Sequence, residues 1–186
     1  GLEKAAEIYE NQDKRVRELK SQGKKIIGYF CSFAPPEFMW AAGLIPYRIR
    51  GKPGAHNVEV DRYIESCNCP MVRNWFGSAL AGKLDFLDGV VIPHSCDAVY
   101  RVYGLWKYYL EPYYSFCLNV PHTRSASSRR FFRTELALFQ ESLERFAGVE
   151  ITGDSLKAAI ALYNEIRERI KRLYDLRKDN PPLLSG

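Results

Sequence analysis

Apolar positions fall in short, dense runs separated by stretches with a helical repeat, and that alternation predicts the elements. Residues 3–22 are heavily charged, with apolar positions at Ala6, Ile8, Val16 and Leu19, and read as a surface helix ending near Gly23. Lys24 to Phe30 then holds Ile26-Ile27-Gly28-Tyr29-Phe30, a run expected of a buried strand, and Cys31-Ser32-Phe33-Ala34 reads as the loop at its carboxyl end. Pro35-Pro36-Glu37 opens a helix, because proline suits the first turn, and Gly43 closes it. Leu44 to Arg50 is a second strand, residues 51–62 a loop rich in Gly, Pro, His and Asn, and Cys69-Pro70 the start of a helix reaching about Gly82.

The second half repeats the scheme. Asp88 to His94 reads as a third strand, and Ser95-Cys96-Asp97 as a turn and helix start with Ser95 or Asp97 available as caps. A fourth strand runs from about Ser115 to Val120. From Ser127 to Arg177 the repeat is helical, broken at Gly148 and restarted at Thr152-Gly153-Asp154. Strands alternating with helices imply an α/β fold with a short parallel sheet covered on its faces, plus a C-terminal helical arm. The expected division is an α/β domain over 1–125, a helical arm over 126–180 and, in the Pro181-Pro182 stretch of 181–186, the start of a linker toward another domain. Two phrases echo one another, Val91-Ile92-Pro93-His94-Ser95 and Asn119-Val120-Pro121-His122-Thr123, each setting a histidine just past a strand.

Composition narrows the classes. The chain has 186 residues, 46% of them hydrophobic and 26% charged, enough for one domain with a proper core. Its formal net charge of +5 comes from scattered residues, so no basic tract points to nucleic acid. No apolar run is long enough to span a bilayer and no signal peptide is visible, which makes the cytoplasm the expected compartment.

Five cysteines, at 31, 67, 69, 96 and 117, are an odd number, which argues against a disulfide framework and for thiol, metal or cluster chemistry. In an open parallel sheet, ligands gather beyond the carboxyl ends of the strands. Cys31 follows the first strand, Cys96 follows the third, and Cys69 opens a helix, where unpaired N–H groups favour a thiolate. Cys67-Asn68-Cys69 alone is a weak motif, and the gap from Cys69 to Cys96 matches neither a four-cysteine ferredoxin pattern nor a zinc ribbon. Spacing leaves cluster ligation and ordinary buried thiols equally open.

The wording of whole segments adds a resemblance. Gly28-Tyr29-Phe30-Cys31-Ser32-Phe33-Ala34-Pro35-Pro36-Glu37 with Ala41-Ala42-Gly43-Leu44-Ile45-Pro46, then Cys69-Pro70-Met71-Val72-Arg73-Asn74, then Leu84 to Asp97, and finally Tyr163-Asn164-Glu165-Ile166-Arg167 and Leu173 to Arg177 resemble, in order, the 2-hydroxyacyl-CoA dehydratase and class I benzoyl-CoA reductase subunit family. The resemblance implies two Rossmann-like three-layer domains in a subunit about twice this length. It implies a [4Fe-4S] cluster held by three cysteines with one iron open. The cysteines before Pro70 and before Asp97 match, so Cys69 and Cys96 inherit the ligand role, and the third ligand is expected outside this segment. It further implies an acyl-CoA substrate reduced by one electron at its thioester to a ketyl radical, a homologous partner subunit, and an ATP-dependent electron-donating activator.

Around these ligands, His94 and Asp97 are candidates for orienting and tuning the cluster, and Glu37 is a candidate acid or base that doubles as a first-turn carboxylate. Cys67 reads as a bystander, Cys31 as a strand-end residue near the site and Cys117 as core. Arg48, Arg73, Arg101 and Arg124 are candidates for coenzyme A phosphates, set against solvated surface charge. Leu156, Ile160, Tyr163, Ile166, Ile170 and Leu173 form one helical stripe, a packing face for this subunit or its partner. A non-catalytic cluster-bearing or electron-relay subunit, and a zinc-stabilised binding domain, are the other classes open on these residues.

Overall fold

A computed structural model describes residues 2–51 and 58–178. Residues 52–57 of the expected loop, the last two residues of the expected arm and the expected linker at 181–186 lie outside the described residues. The elements are α1 (Leu2–Glu10), α2 (Gln12–Ser21), β1 (Ile26–Tyr29), α3 (Pro36–Ala41), β2 (Ile45–Arg48), a 3-10 turn (Val58–Arg62), α4 (Pro70–Leu80), β3 (Gly89–His94), α5 (Asp97–Tyr109), β4 (Tyr114–Asn119), α6 (Ala126–Ala147) and α7 (Gly153–Asp175).

The four strands form one parallel sheet in the order β2-β1-β3-β4. The chain leaves β1 for β2 in one direction and crosses back over β1 to reach β3 and then β4. Right-handed crossovers put helices of opposite travel on opposite faces. Accordingly α3 covers one face, and α4 and α5 cover the other.

Alternation along the strands divides the core to match. Phe30, Ile49, Val90 and Ile92 meet Val72, Trp75 and Phe76 of α4 and Val99, Val102 and Trp106 of α5. Phe30 stacks on Trp75 at 4.5 Å between ring centres and takes the edge of Trp106 at 5.3 Å. Ile27, Val91, Tyr114 and Leu118 face the other way, against Met39 of α3, Ala42 just after it, and Phe139 and Leu143 of α6. Gly89 lets β3 and β4 approach, since a Cβ there would sit 2.6 Å from the Tyr114 carbonyl oxygen.

Two expectations change in detail. The single helix over 3–22 is two helices, because Asn11 leaves helical geometry with φ −111° and ψ 37°; asparagine competes with the helix through its own side chain, here bonded to the Glu7 carbonyl. The helical segment after residue 125 is rooted on the sheet: α6 lies on β4, and α7 returns onto α3. The turn between them is set by Gly148 in the left-handed region (φ 75°) and by Thr152, whose side chain caps α7 by accepting from the Ser155 N–H. Of the α7 stripe, Leu156 packs into the core, whereas Ile160, Ile166, Ile170 and Leu173 are exposed. No helix among the described residues is long and apolar enough to cross a membrane.

Candidate functional site

The reversal of travel lies between β1 and β3, where neighbouring strands send their chains to opposite faces. That opening, beyond the carboxyl ends, is where an open α/β sheet accepts ligands. Cys31 stands at the end of β1 and Ser95-Cys96 at the end of β3, so the opening is lined by sulfur and hydroxyl groups.

Cys31 adopts φ 57°, a left-handed conformation that costs a residue with a Cβ on the order of 1 kcal/mol. Burial alone would raise its thiol. Hydrogen bonds from the Phe33 backbone, the Ser95 side chain and Ser32 outweigh burial, and the thiol lies below its ordinary range. The sequence placed Cys31 near the site; its backbone geometry and its hydroxyl partner carry no local sequence signal.

Cys69 and Cys96 occupy equivalent positions. Each is the N-cap residue, of α4 and α5 respectively, and neither side chain is spent on a capping hydrogen bond. The expected caps Ser95 and Asp97 are displaced by one residue: Cys96 is the cap and Asp97 the first helical residue. Both thiols are free and exposed. The two helices pack side by side on one face, with a groove of about 400 Å3 beside them lined by Glu65, Asn68, Val72, Ala98 and Arg101 but by neither cysteine. Two thiols at the positive ends of two helices suit a soft, electron-accepting group. Among the described residues, no three Cys, His, Asp or Glu side chains gather into one ligand set. Each thiol is by its chemistry the kind of soft donor that an iron–sulfur cluster takes. Cys67 is exposed, with its sulfur 3.7 Å from the Glu65 carboxylate.

The flanking residues are held by specific contacts. His94 stacks on Tyr100 at 4.3 Å and meets His122 edge-on at 6.1 Å. The two echoed phrases thus lie side by side, with His94 registered against Asn119 on β4. Asp97 accepts from Arg101 at 2.7 Å. Arg73 donates to the carbonyls of Ile64 and Glu65, at 2.8 and 3.0 Å, and pairs with Asp61, fastening the approach to Cys69. Cys117 is half-buried on β4, and burial followed by the nearby Glu135 pushes its thiol up.

Glu37 is the one buried charged side chain among the described residues. It sits in the first turn of α3 and its carboxylate is bound by Arg167 of α7, a partner 130 positions away. Tyr163, also on α7, is pushed up to about 12 by burial and then by Tyr29 and Glu37. Arg167 also borders a second groove, of about 360 Å3, between α3, α6 and the end of β4.

Comparison with known proteins bears on these residues. The profile of the family described as 2-hydroxyglutaryl-CoA dehydratase, D-component, matches residues 31–186. A benzoyl-CoA reductase subunit of Thauera aromatica is 32% identical over 181 residues, covering 94% of this chain and 46% of its own. The (R)-2-hydroxyglutaryl-CoA dehydratase beta subunit of Acidaminococcus fermentans is 28% identical, covering 91% and 45%. The (R)-phenyllactyl-CoA dehydratase beta subunit of Clostridium sporogenes is 28% identical, covering 87% and 44%. The chain spans about half the length of the curated relatives it matches. With the profile matching from Cys31 through both helix-capping cysteines, the chain belongs to the 2-hydroxyglutaryl-CoA dehydratase D-component family.

Proposed function

We propose that this chain is part of an iron–sulfur acyl-CoA enzyme subunit, of the benzoyl-CoA reductase or 2-hydroxyacyl-CoA dehydratase type, in which Cys69 and Cys96 supply two thiolate ligands to a [4Fe-4S] cluster. One observation carries the reading: two exposed thiols, uncommitted to capping bonds, stand at the starts of two helices packed side by side on one face of the sheet. The third ligand would come from outside this segment. A cluster held there by Cys69 and Cys96 would supply the chemistry of one-electron reduction of an acyl-CoA thioester.

The chain's own residues prepare the site. Backbone N–H groups at the starts of α4 and α5 favour negative charge beside the two sulfurs. His94, braced by Tyr100 and His122, and Asp97, committed to Arg101, fix the wall next to Cys96. Arg73 fastens the segment before Cys69. Glu37, expected as an acid or base, is committed to Arg167, and in this reading it anchors α7 on α3. The relatives are named as subunits, which supports a homologous partner subunit; an ATP-dependent activator would deliver the electron.

The test is iron and sulfide analysis of the whole protein, purified without oxygen together with its neighbouring subunit. Iron and the accompanying charge-transfer absorption should fall in Cys69→Ser and in Cys96→Ser. Unchanged iron content in both variants removes the ligand assignment, and stoichiometric zinc in place of iron replaces it with a structural metal site.

A further inference from the structure

Arginine is treated differently at the two ends of the long helices. On α7, Arg169 and Arg172 each meet a glutamate four residues earlier, and Arg167 meets Glu37; near the end of α6, Arg145 meets Glu141. At the start of α6 that pairing stops. Arg124, Arg129, Arg130 and Arg133 are all exposed, and none forms an ion pair with the described residues. Arg129 reaches only the Arg124 carbonyl, at 3.4 Å.

This arrangement works against the helix that carries it. The first turn of α6 holds no acidic residue, and Arg124 and Arg129 add positive charge at the end of the helix that is already positive. Arg133 stands four positions beyond Arg129 and three beyond Arg130, so like charges repel along one side. Local rules are broken in this way where function requires it, and the missing negative charge then comes from another molecule.

The position and shape of the charge indicate which molecule. The connection from β4 to α6 passes through His122, whose ring meets that of His94, two residues before Cys96. The arginines therefore begin beside the edge of the sheet that carries Cys96. From Ala126 to Arg133 the helix rises about 10 Å, so the charges form a strip instead of converging on one point. The hydroxyls that could gather a phosphate are occupied with one another: Thr123 with Ser128 at 2.6 Å, and Ser125 with Ser127 and Ser128 at 2.8 Å, while Ser125 also caps the helix. Phe131 is exposed within the strip, and arginine and aromatic residues are the types enriched where proteins meet. Permanent subunit interfaces are the more apolar kind, whereas a charged face speeds the encounter of partners that come and go.

Resting on the function proposed above, we infer that Arg124, Arg129, Arg130 and Arg133 form the docking face for an acidic protein surface, that of the electron donor which visits this edge of the sheet transiently.

The experiment uses the whole protein with its neighbouring subunit and, as probe, the purified ATP-dependent activator. Association is followed by biolayer interferometry without oxygen, with iron and sulfide determined on the same samples. Salt is raised from about 0.01 to 0.15 M, across which the screening length falls from about 30 to 8 Å. The on-rate of the parent should fall at least about tenfold over that range. Arg129→Glu combined with Arg130→Glu should lower the low-salt on-rate at least about tenfold and remove most of the salt dependence, with iron unchanged. Arg129→Lys combined with Arg130→Lys keeps the charge and should keep the salt dependence. The charge-reversed variant should also unfold at higher urea than the parent, because its acids suit the start of the helix and face Arg133; a lower midpoint would give the arginines a structural role and overturn the inference. An on-rate indifferent to salt, or one that survives charge reversal, overturns it as well. Weakened assembly with the neighbouring subunit would make the face a permanent interface, and weakened coenzyme A binding with unaltered association would make it a phosphate site; either result replaces the docking face. Iron missing from the parent strikes the cluster reading instead, and the association rates still decide the docking.

Discussion

The Glu37–Arg167 pair joins two parts of the chain that no local pattern connects, and its loss should be asymmetric. Removing Arg167 leaves a carboxylate, 8% exposed, without its cation. Breaking a fully buried pair in this way costs about 3–5 kcal/mol. The Arg167 side chain is 54% exposed, so water reaches one side of the pair and the expected cost of Arg167→Ala falls to about 2–3 kcal/mol. Glu37→Gln removes the buried charge instead, keeps a hydrogen-bond acceptor and leaves Arg167 to water, for about 1 kcal/mol. With the carboxylate already gone, Arg167→Ala should cost little more, so the double variant should fall short of the sum by about 2 kcal/mol. Urea unfolding with a constant dependence on denaturant measures all three. Two outcomes refute the reasoning: additivity within about 0.3 kcal/mol, or an Arg167→Ala cost no larger than that of Glu37→Gln.

Three further outcomes follow from single positions. Gly89→Ala should destabilise by about 1–3 kcal/mol, because its Cβ meets a backbone oxygen across the β3–β4 pairing; a urea midpoint unchanged from the parent would contradict that contact. Tyr163 holds its proton more tightly folded, at about 12, than unfolded, near 10.0, so its contribution is complete below about pH 10 and is lost as pH rises toward 12. Tyr163→Phe should flatten the fall of stability across that window, and an unaltered slope in alkaline unfolding curves argues against the burial of its hydroxyl. Cys31 should alkylate with iodoacetamide at lower pH than Cys117, since donors favour the thiolate of one while burial and Glu135 disfavour that of the other; peptide mass spectrometry across pH 6–10 checks the order, and Cys117 reacting first or both together refutes it.

The features legible in the sequence are those encoded within a few neighbouring residues. A strand buried on both faces needs an unbroken apolar run, and Ile26-Ile27 and Val90-Val91-Ile92 supply it, so the four strands lie within two residues of their expected bounds. Pro36, Pro70 and Gly148 mark helix ends by backbone chemistry, and the cysteine preceding Pro70 is legible as a helix start for the same reason. The order β2-β1-β3-β4 is different in kind, because it follows from which way each crossover turns. The features that shape the site were equally out of reach. Cys31 draws its character from a left-handed turn and from Ser95, 64 residues on, and the two echoed histidines meet only because β3 and β4 pair with His94 against Asn119. Glu37 shows the consequence most plainly. Its place at a helix start and a sheet edge invites a catalytic reading, yet the chemistry open to a carboxylate depends on what faces it, and what faces it arrives from α7. Position along an element therefore locates a candidate, while its partner across the fold decides whether it reacts, binds or holds the structure together.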